Sequence, residues 1–310
     1  MKITLLSDDT VLNGKSAATI GFFDGVHRGH QFLLRRVVET ARECGMESMA
    51  ITFDQHPRMV VDAGYRPTLL TSLDEKLGLI ADTGVDLCVV LPFTKEMACL
   101  EAYGFMRDIL KSRLGVERLI IGHDNRFGHN SHETFDDYAR YGRELGIDVV
   151  WNTALETGGM RVSSSLVRRL LAEGDVEQAA ECLGRPYSIK GVVVDGCKEG
   201  RKLGFPTANI EVDDKNRLIP AVGVYGVRVK NCDGGHVMPG MLNIGFRPTF
   251  GGGKLSIEVN IFDFYGNLYG RQLEVEFYRR IRGERKFEDI EQLREQIKKD
   301  KIEILKLWDY

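Results

Sequence analysis

The chain has 310 residues, more than one ordinary globular core uses and comfortable for two. Apolar residues make up 43% and charged residues 28%, with a net charge of −3. That describes a folded protein with no global basic field to suggest nucleic acid or an acidic membrane surface as a partner. The opening MKITLLSDDTVLNG has one Lys and two early Asp around a very short apolar stretch, so it does not read as a secretory signal. No run approaches the roughly 18 apolar residues of a membrane span. Cys44, Cys88, Cys99, Cys182, Cys197 and Cys232 are scattered without a CxxC pair, so a reduced, cytoplasmic protein is expected.

In chain order, the first half alternates strand and helix signals. Strands are predicted at Ala17–Phe22, Ser48–Phe53, Asp86–Leu91, Arg118–Ile121 and Ile147–Trp151. Helices are predicted over 31–43, 73–83, 103–114 and 135–145; in the first, Leu33, Leu34, Val37 and Val38 form a stripe. Such alternation predicts a parallel sheet covered by helices. Two short helices follow, over 163–171 and 175–183. Then come β segments broken by Gly and Pro: Ile189–Val194, Gly223–Val229, Val237–Ile244, Leu255–Phe262 and Leu273–Tyr278. They predict a small antiparallel barrel or sandwich. Phe287–Trp308 carries an amphipathic helical stripe. The expected division is 1–183 and 184–310.

The sharpest local feature is GFFDGVHRGH, Gly21 to His30. A strand enters a loop with Gly21, Gly25 and Gly29, then a helix begins. Glycines let backbone N–H groups approach a phosphate, and a helix N-terminus favours anions. His27 and His30, three apart, can donate to phosphate oxygens from one side and stabilise charge developing at an α-phosphate. A capping turn or incidental metal contact fits the same string. GxxxxGK[ST] and GxGxxG are absent. Later, Ser163, Ser164 and Ser165 precede an apolar-periodic helix, where hydroxyls cap the helix or bind phosphate, and Arg168 lies one turn on. An ordinary N-cap with a surface Arg reads equally well.

HxGH after the first strand resembles the nucleotidylyltransferase superfamily, and the longer string resembles its prokaryotic FAD synthetase branch. TFDQHPRMV (52–60), IGHDNRFG (121–128) and RVSSSLVRRLL (161–171) extend the likeness. It implies a Rossmann-like α/β domain that adenylylates FMN. It further implies nucleotide contacts from Phe23 and Asp24, and flavin contacts from His56, Pro57, Asp124 and Asn125. The chain departs from that pattern at three places. Ser165 stands where Thr is usual and Asn125 where an aromatic is usual. His129, Asn130 and Ser131 replace a basic, Gly-containing stretch.

The second strong string is GRKLGFPTANI, Gly200 to Ile210. In extended backbone, Thr207 and Asn209 point the same way and can share a hard cation such as Mg²⁺. Gly196, Gly200 and Gly204 make the preceding loop pliable enough to cover phosphates. A Pro turn with a local Asn hydrogen bond is the plainer account. In LSIEVNIFDFYGNLYG, Leu255, Ile257, Val259 and Ile261 alternate and are expected to fill the barrel. Glu258 then falls on the other face, as a base for a substrate hydroxyl or simply as a solvated carboxylate.

PTAN followed by this Glu resembles the riboflavin kinase domain, as do GRPYSIKG (184–191), GVYGV (223–227), LNIGFRPTF (242–250) and RRIRGERKF (279–287). The resemblance implies Mg²⁺–ATP on Thr207 and Asn209, Lys202 in the phosphate-covering loop, Glu258 as base and Arg282 bordering the flavin. Together the two likenesses resemble the fused bacterial riboflavin kinase/FMN adenylyltransferase family, with riboflavin, FMN and ATP as its small molecules. A different HxGH transferase with an unrelated β-domain, or a non-catalytic flavin sensor, would share part of this pattern. Oligomeric state is left open.

Overall fold

The computed structural model describes residues 1–122, 126–129, 133–153, 156–157, 160–196, 200, 204–234, 236–247 and 254–308. The chain divides into two compact units, Met1–Ser164 and Ser165–Tyr310.

In the first unit, β1 (Lys2–Leu5), β2 (Ser16–Ile20), β3 (Glu47–Phe53), β4 (Leu87–Leu91), β5 (Val116–Gly122) and β6 (Asp148–Asn152) form one sheet. Its order is β1-β4-β3-β2-β5-β6, and all its pairings are parallel. The central strands are near-continuous apolar runs because both faces are covered. Alternate residues take opposite faces. Ala17, Ala50, Cys88 and Ile120 pack against Leu34, Val37 and Val38 of α1 (Arg28–Cys44). Ala18, Ile20, Met49, Ile51 and Val89 pack on the other side against Phe105, Met106 and Tyr138. Those three come from α5 (Ala102–Phe105), the π-turn Met106–Lys111 that continues it, and α6 (Phe135–Leu145). Three further helices are α2 (Pro57–Val61), α3 (Leu73–Ala81) and α4 (Lys95–Ala98). The short pair β7 (Glu156–Thr157) and β8 (Met160–Arg161) follows the sheet.

The five predicted strands are all present. β1, which sequence periodicity missed, is an edge strand whose Ile3 and Leu5 are 53% and 63% exposed. An edge strand with both faces open has no alternation to read. Strand order reverses at β2, whose neighbours are β3 and β5. The crevice at the carboxyl ends there is where open α/β sheets bind ligands, and β2 ends directly into Gly21–His27.

That loop is clamped from outside itself. Asp24 is 3% exposed, and its carboxylate accepts from Leu70 N at 3.0 and 3.1 Å, Thr71 N at 3.2 Å and Thr71 Oγ1 at 3.3 Å. Gly25 N donates to the same hydroxyl at 3.1 Å. The turn places Gly25 at φ 78°, and also Phe23 at 54° and Val26 at 38°. Left-handed backbone suits glycine and strains the other two.

In the second unit, β9 (Tyr187–Val194), β10 (Ala208–Val212), β11 (Gly223–Asn231), β12 (Met238–Arg247), β13 (Lys254–Ile261) and β14 (Gln272–Arg282) close into an antiparallel barrel. The cyclic order is β10-β13-β12-β11-β14-β9. Register puts Ile257 opposite Ile244, Val259 opposite Leu242 and Val275 opposite Ile189, all buried. Leu255 departs from the expected core set. It is 38% exposed, because β13 has reached the barrel rim there. β10 was not anticipated; its sequence ANIEV opens after a Pro turn and offers only one buried residue, Ile210. The terminal helix α9 (Ile290–Leu305) lays Ile297 and Ile304 over Val224, Met241 and Phe262 on the barrel's outer face.

Helices α7 (Ser164–Glu173) and α8 (Val176–Leu183), expected with the first domain, cluster almost entirely with the barrel. Arg279 of β14 pairs with Glu177 at 2.9 Å, and Arg280 donates to Glu173 O at 3.1 Å. Among the described residues no helix is long and apolar enough to cross a membrane.

The Asp24 clamp generates a prediction. Asp24→Ala leaves the buried N–H groups of Leu70 and Thr71 without that acceptor and should lower the first unit's stability by about 2–4 kcal/mol. Urea denaturation followed by Trp151 fluorescence in a Trp308→Phe background measures it; a change below about 0.5 kcal/mol would contradict the clamp.

Candidate active sites

In the first unit the HxGH turn brings two imidazoles together. His27 is 5% exposed, and its ring stacks on that of His30 with centroids 3.6 Å apart and an 18° interplanar angle. His27 Nδ1 accepts from His30 N at 3.3 Å, capping α1. Phe23 meets the His30 ring edge-on at 5.2 Å and folds its own ring against Gly21. Gly29 faces the His27 ring, with Val162 O close by. His30 Nδ1 is buried with no hydrogen-bond partner. Burial first, then the charges of His27 and Lys76, hold the His30 pKa well below its ordinary value. His30 is therefore a neutral imidazole at pH 7, a donor rather than a cation.

The serine segment reaches this loop: Ser164 Oγ donates to Asp24 O at 2.9 Å. Ser163 is half-buried and Ser165 exposed. Arg168 lies on α7 one turn beyond Ser164, in the part that belongs to the second unit. Asp24 itself is an anchor, its carboxylate turned to Leu70 and Thr71.

Beside Gly21 opens a cavity of about 330 Å³ walled by Phe22, Phe53, Phe93, Phe105 and Phe127. Pro57 lines it, and His56 meets Phe22 edge-on at 4.8 Å while capping α2 through Nδ1. Tyr138 holds Phe127 by two backbone hydrogen bonds, of 2.8 and 3.0 Å, under stacked rings. His129 takes a structural place, with N donating to Leu100 O and Nδ1 lying 2.9 Å from Ala98 O. Asp124, Asn125, Asn130 and Ser131 lie outside the described residues. Sequence reading missed this aromatic slot. Its signal is an aromatic at the carboxyl end of successive strands: Phe22 after β2, Phe53 in β3, Phe93 after β4.

In the second unit, register brings the predicted kinase residues to one face. Asn209 on β10 lies opposite Glu258 on β13, and Glu258 lies opposite Asn243 on β12. Thr207 Oγ1 donates to Glu258 Oε2 at 3.0 Å. Asn260, two residues along from Glu258, donates to Pro206 O at 2.6 Å and fixes the turn that presents Thr207. The Asn209 amide lies so close over Gly196 that no side chain fits there. Gly200 O accepts from Phe205 N at 2.8 Å, closing the loop next to Thr207. Lys202 lies outside the described residues. Asn243 and Asn260 were not anticipated, because amides on a strand carry no pattern of their own.

Two cavities flank β13. One, of about 350 Å³, lies on the barrel's outer face under α9, lined by Glu258, Asn243, Arg282, Phe287 and Ile297. Arg282 is held there by Asp300 of α9 at 2.9 Å, a pair with side chains 12% and 2% exposed. The other, of about 290 Å³, is lined by inward-facing Val193, Ala208, Val259 and Ile261 and by Phe264 and Tyr269 of the β13–β14 loop. Thr207 borders both. Among the described residues no three His, Cys, Asp or Glu side chains form a metal cluster. The Thr207 hydroxyl and Asn209 amide are instead neutral oxygen donors, which suit a cation that keeps waters and phosphate oxygens as its other ligands.

Comparison with known proteins matches both units. The FAD synthetase family model covers residues 10–166, and the riboflavin kinase family model covers residues 183–308. The bifunctional riboflavin kinase/FMN adenylyltransferase of Escherichia coli K12 is 38% identical over 92% of this chain and 90% of its own. That of Bacillus subtilis is 37% identical over 94% and 92%. A solved Streptococcus pneumoniae structure, described as a macrolide-efflux protein, is 30% identical with a TM-score of 0.88, over 97% of this chain and 98% of that one. With both family models in order and full-length relatives at this identity, the chain belongs to the bifunctional riboflavin kinase/FMN adenylyltransferase family.

Proposed function

We propose that the second unit phosphorylates riboflavin to FMN and the first adenylylates FMN to FAD, each with ATP as co-substrate. The chain is a transferase of flavin cofactor biosynthesis. One observation carries the assignment of sites: each unit sets a phosphate-handling cluster beside a ligand-sized cavity with aromatic or apolar walls. Neither a flavin sensor nor an unrelated HxGH transferase accounts for both. Consumption of ATP at both steps suits a cytoplasmic enzyme.

In the kinase unit, Glu258 takes the proton of the ribityl 5′-hydroxyl as that oxygen attacks the γ-phosphorus. The bond to the β–γ bridging oxygen breaks and ADP leaves. Riboflavin occupies the outer cavity beside Glu258 and Arg282, and the ATP base occupies the inner one. Thr207, bordering both, marks where the phosphoryl group crosses. Thr207 and Asn209 would hold Mg²⁺, which neutralises phosphate charge when bound.

In the adenylyltransferase unit, the isoalloxazine enters the aromatic slot by His56 and Pro57. The FMN phosphate oxygen attacks the α-phosphorus, the α–β bridge breaks and pyrophosphate leaves. His27, His30 and the Ser163 hydroxyl stabilise the charge that develops.

Incubation with riboflavin, ATP and Mg²⁺ followed by chromatography should show FMN and then FAD. His30→Ala should slow FAD formation about 100- to 1,000-fold with FMN formation unchanged. Glu258→Gln should slow FMN formation about 100-fold or more while added FMN is still adenylylated. Loss of both activities in either folded variant would sink the two-site assignment.

The depressed pKa of His30 gives a pH dependence. Below about 6.5 the unfolded chain protonates this His while the folded chain does not. Stability contributed above that pH is lost as pH falls towards the folded value, by at most about 1.4 kcal/mol per unit. His30→Gln should flatten that slope in urea titrations between about pH 6.5 and 5; an unchanged slope would show that His30 titrates normally.

A further inference from the structure

One buried charge in the first unit has no part in the steps above. Lys76 sits on α3 and is 3% exposed. Its Nζ donates to Phe53 O at 2.9 Å and lies 4.3 Å from the centroid of the Phe22 ring. Phe22 and Phe53 are both walls of the aromatic slot. The ammonium therefore joins two strand ends at the switch point, by a hydrogen bond to one and a cation–π contact to the other. The ionisable groups facing it are Asp24 from the phosphate loop, Asp54 just after β3, Cys88 on β4 and His30 on α1. Cys88 is pushed up to about 11 by burial and stays a neutral thiol.

An ammonium removed from water without a carboxylate in hydrogen-bond contact is costly. Burial lowers its pKa to about 8, against partial support from the carboxylates of Asp24 and Asp54. A Leu or Met would fill the same helix position at lower cost. A charge kept there at the expense of stability points to function. The species that would gain from it are anions: a flavin phosphate and a nucleoside triphosphate, both arriving at the adjoining loop.

We propose that Lys76 is a positioning residue of the adenylyl-transfer site, a buried ammonium that ties the Phe22 wall of the slot to the carboxyl end of β3 and supplies the positive charge behind the phosphate loop. This rests on the assignment of FMN adenylylation to the first unit. It does not require Lys76 to touch substrate. The position explains why Phe22 and the backbone of Phe53 hold their places, and it adds to the field that keeps His30 an uncharged donor.

The test uses the whole chain, with riboflavin phosphorylation as an internal control. Lys76→Met keeps length and apolar volume and removes the charge. The expected result is a fall of at least 10-fold in kcat/KM for FAD formation, carried mainly by higher KM for FMN and ATP. Riboflavin phosphorylation should be unchanged, and the midpoint of thermal unfolding of the first unit equal or higher. A second reading needs no variant: in the unmodified protein, kcat/KM for FAD formation should decline as pH rises through about 8, where Lys76 loses its proton. In Lys76→Met that limb should be absent. Wild-type kinetics in Lys76→Met would overturn the proposal. So would an activity loss matched by a lower unfolding midpoint with the alkaline limb intact, since that describes a structural lysine. If the unmodified chain forms no FAD, or forms it undiminished in His30→Ala, the underlying assignment fails first; FAD formation that depends on His30 but not on Lys76 removes this proposal alone.

Discussion

The adenylyltransferase unit depends on one buried carboxylate. Phe23 and Val26 hold left-handed backbone in the loop that carries the histidines, at about 1–3 kcal/mol each. Such a loop persists only when its surroundings over-determine it. Asp24 does so by gathering Leu70, Thr71 and, through Thr71, Gly25 around one side chain. Ser164 fixes the backbone of the same residue from another segment. With Asp24 held, Phe23 is turned back against Gly21, His27 caps α1, and His30 can stack on it. The geometry of the turn thus follows from a residue whose own carboxylate is turned to Leu70 and Thr71.

The kinase unit uses a different constraint, the two-residue period of an antiparallel strand. On β13, Ile257, Val259 and Ile261 fill the barrel, so Glu258 and Asn260 must face outwards. The register with β10 and β12 then sets Asn209 and Asn243 on either side of Glu258. On a bare barrel that face would be open to water. Helix α9 covers it, contributing Ile297 to the cavity wall and Asp300 to hold Arg282. A terminal helix that looks like a packing element thereby walls part of that cavity.

What could be read from sequence follows the same physics. Buried parallel strands and an alternating barrel strand announce themselves, and so does the shared direction of Thr207 and Asn209. β1 did not, because an exposed edge strand lacks a pattern, and Leu255 misled because alternation carries no information about where a rim begins. The aromatic slot was distributed over five elements and legible only after the strands were aligned. Lys76 was invisible because helical spacing places it on the buried face, where the eye expects an aliphatic residue. His129, a departure from the family pattern, has a local account: it ties its loop to the carbonyls of Ala98 and Leu100.

The two sites also differ in what they need from acid–base chemistry, and the structure differs accordingly. On the proposed assignment, the kinase nucleophile is an alcohol, which must lose a proton as it attacks. Glu258 stands on the cavity wall, with Thr207 donating to one oxygen to orient it. The adenylyltransferase nucleophile is a phosphate monoester, whose second pKa near 6 leaves it ionised at neutral pH. It needs no base. The buried carboxylate at that turn, Asp24, is already engaged by Leu70 and Thr71, and what faces the loop is a neutral imidazole donor. A carboxylate free to accept a proton beside this loop would repel the phosphates it has to receive. Its engagement elsewhere is therefore part of the site's design, as much as the histidines are.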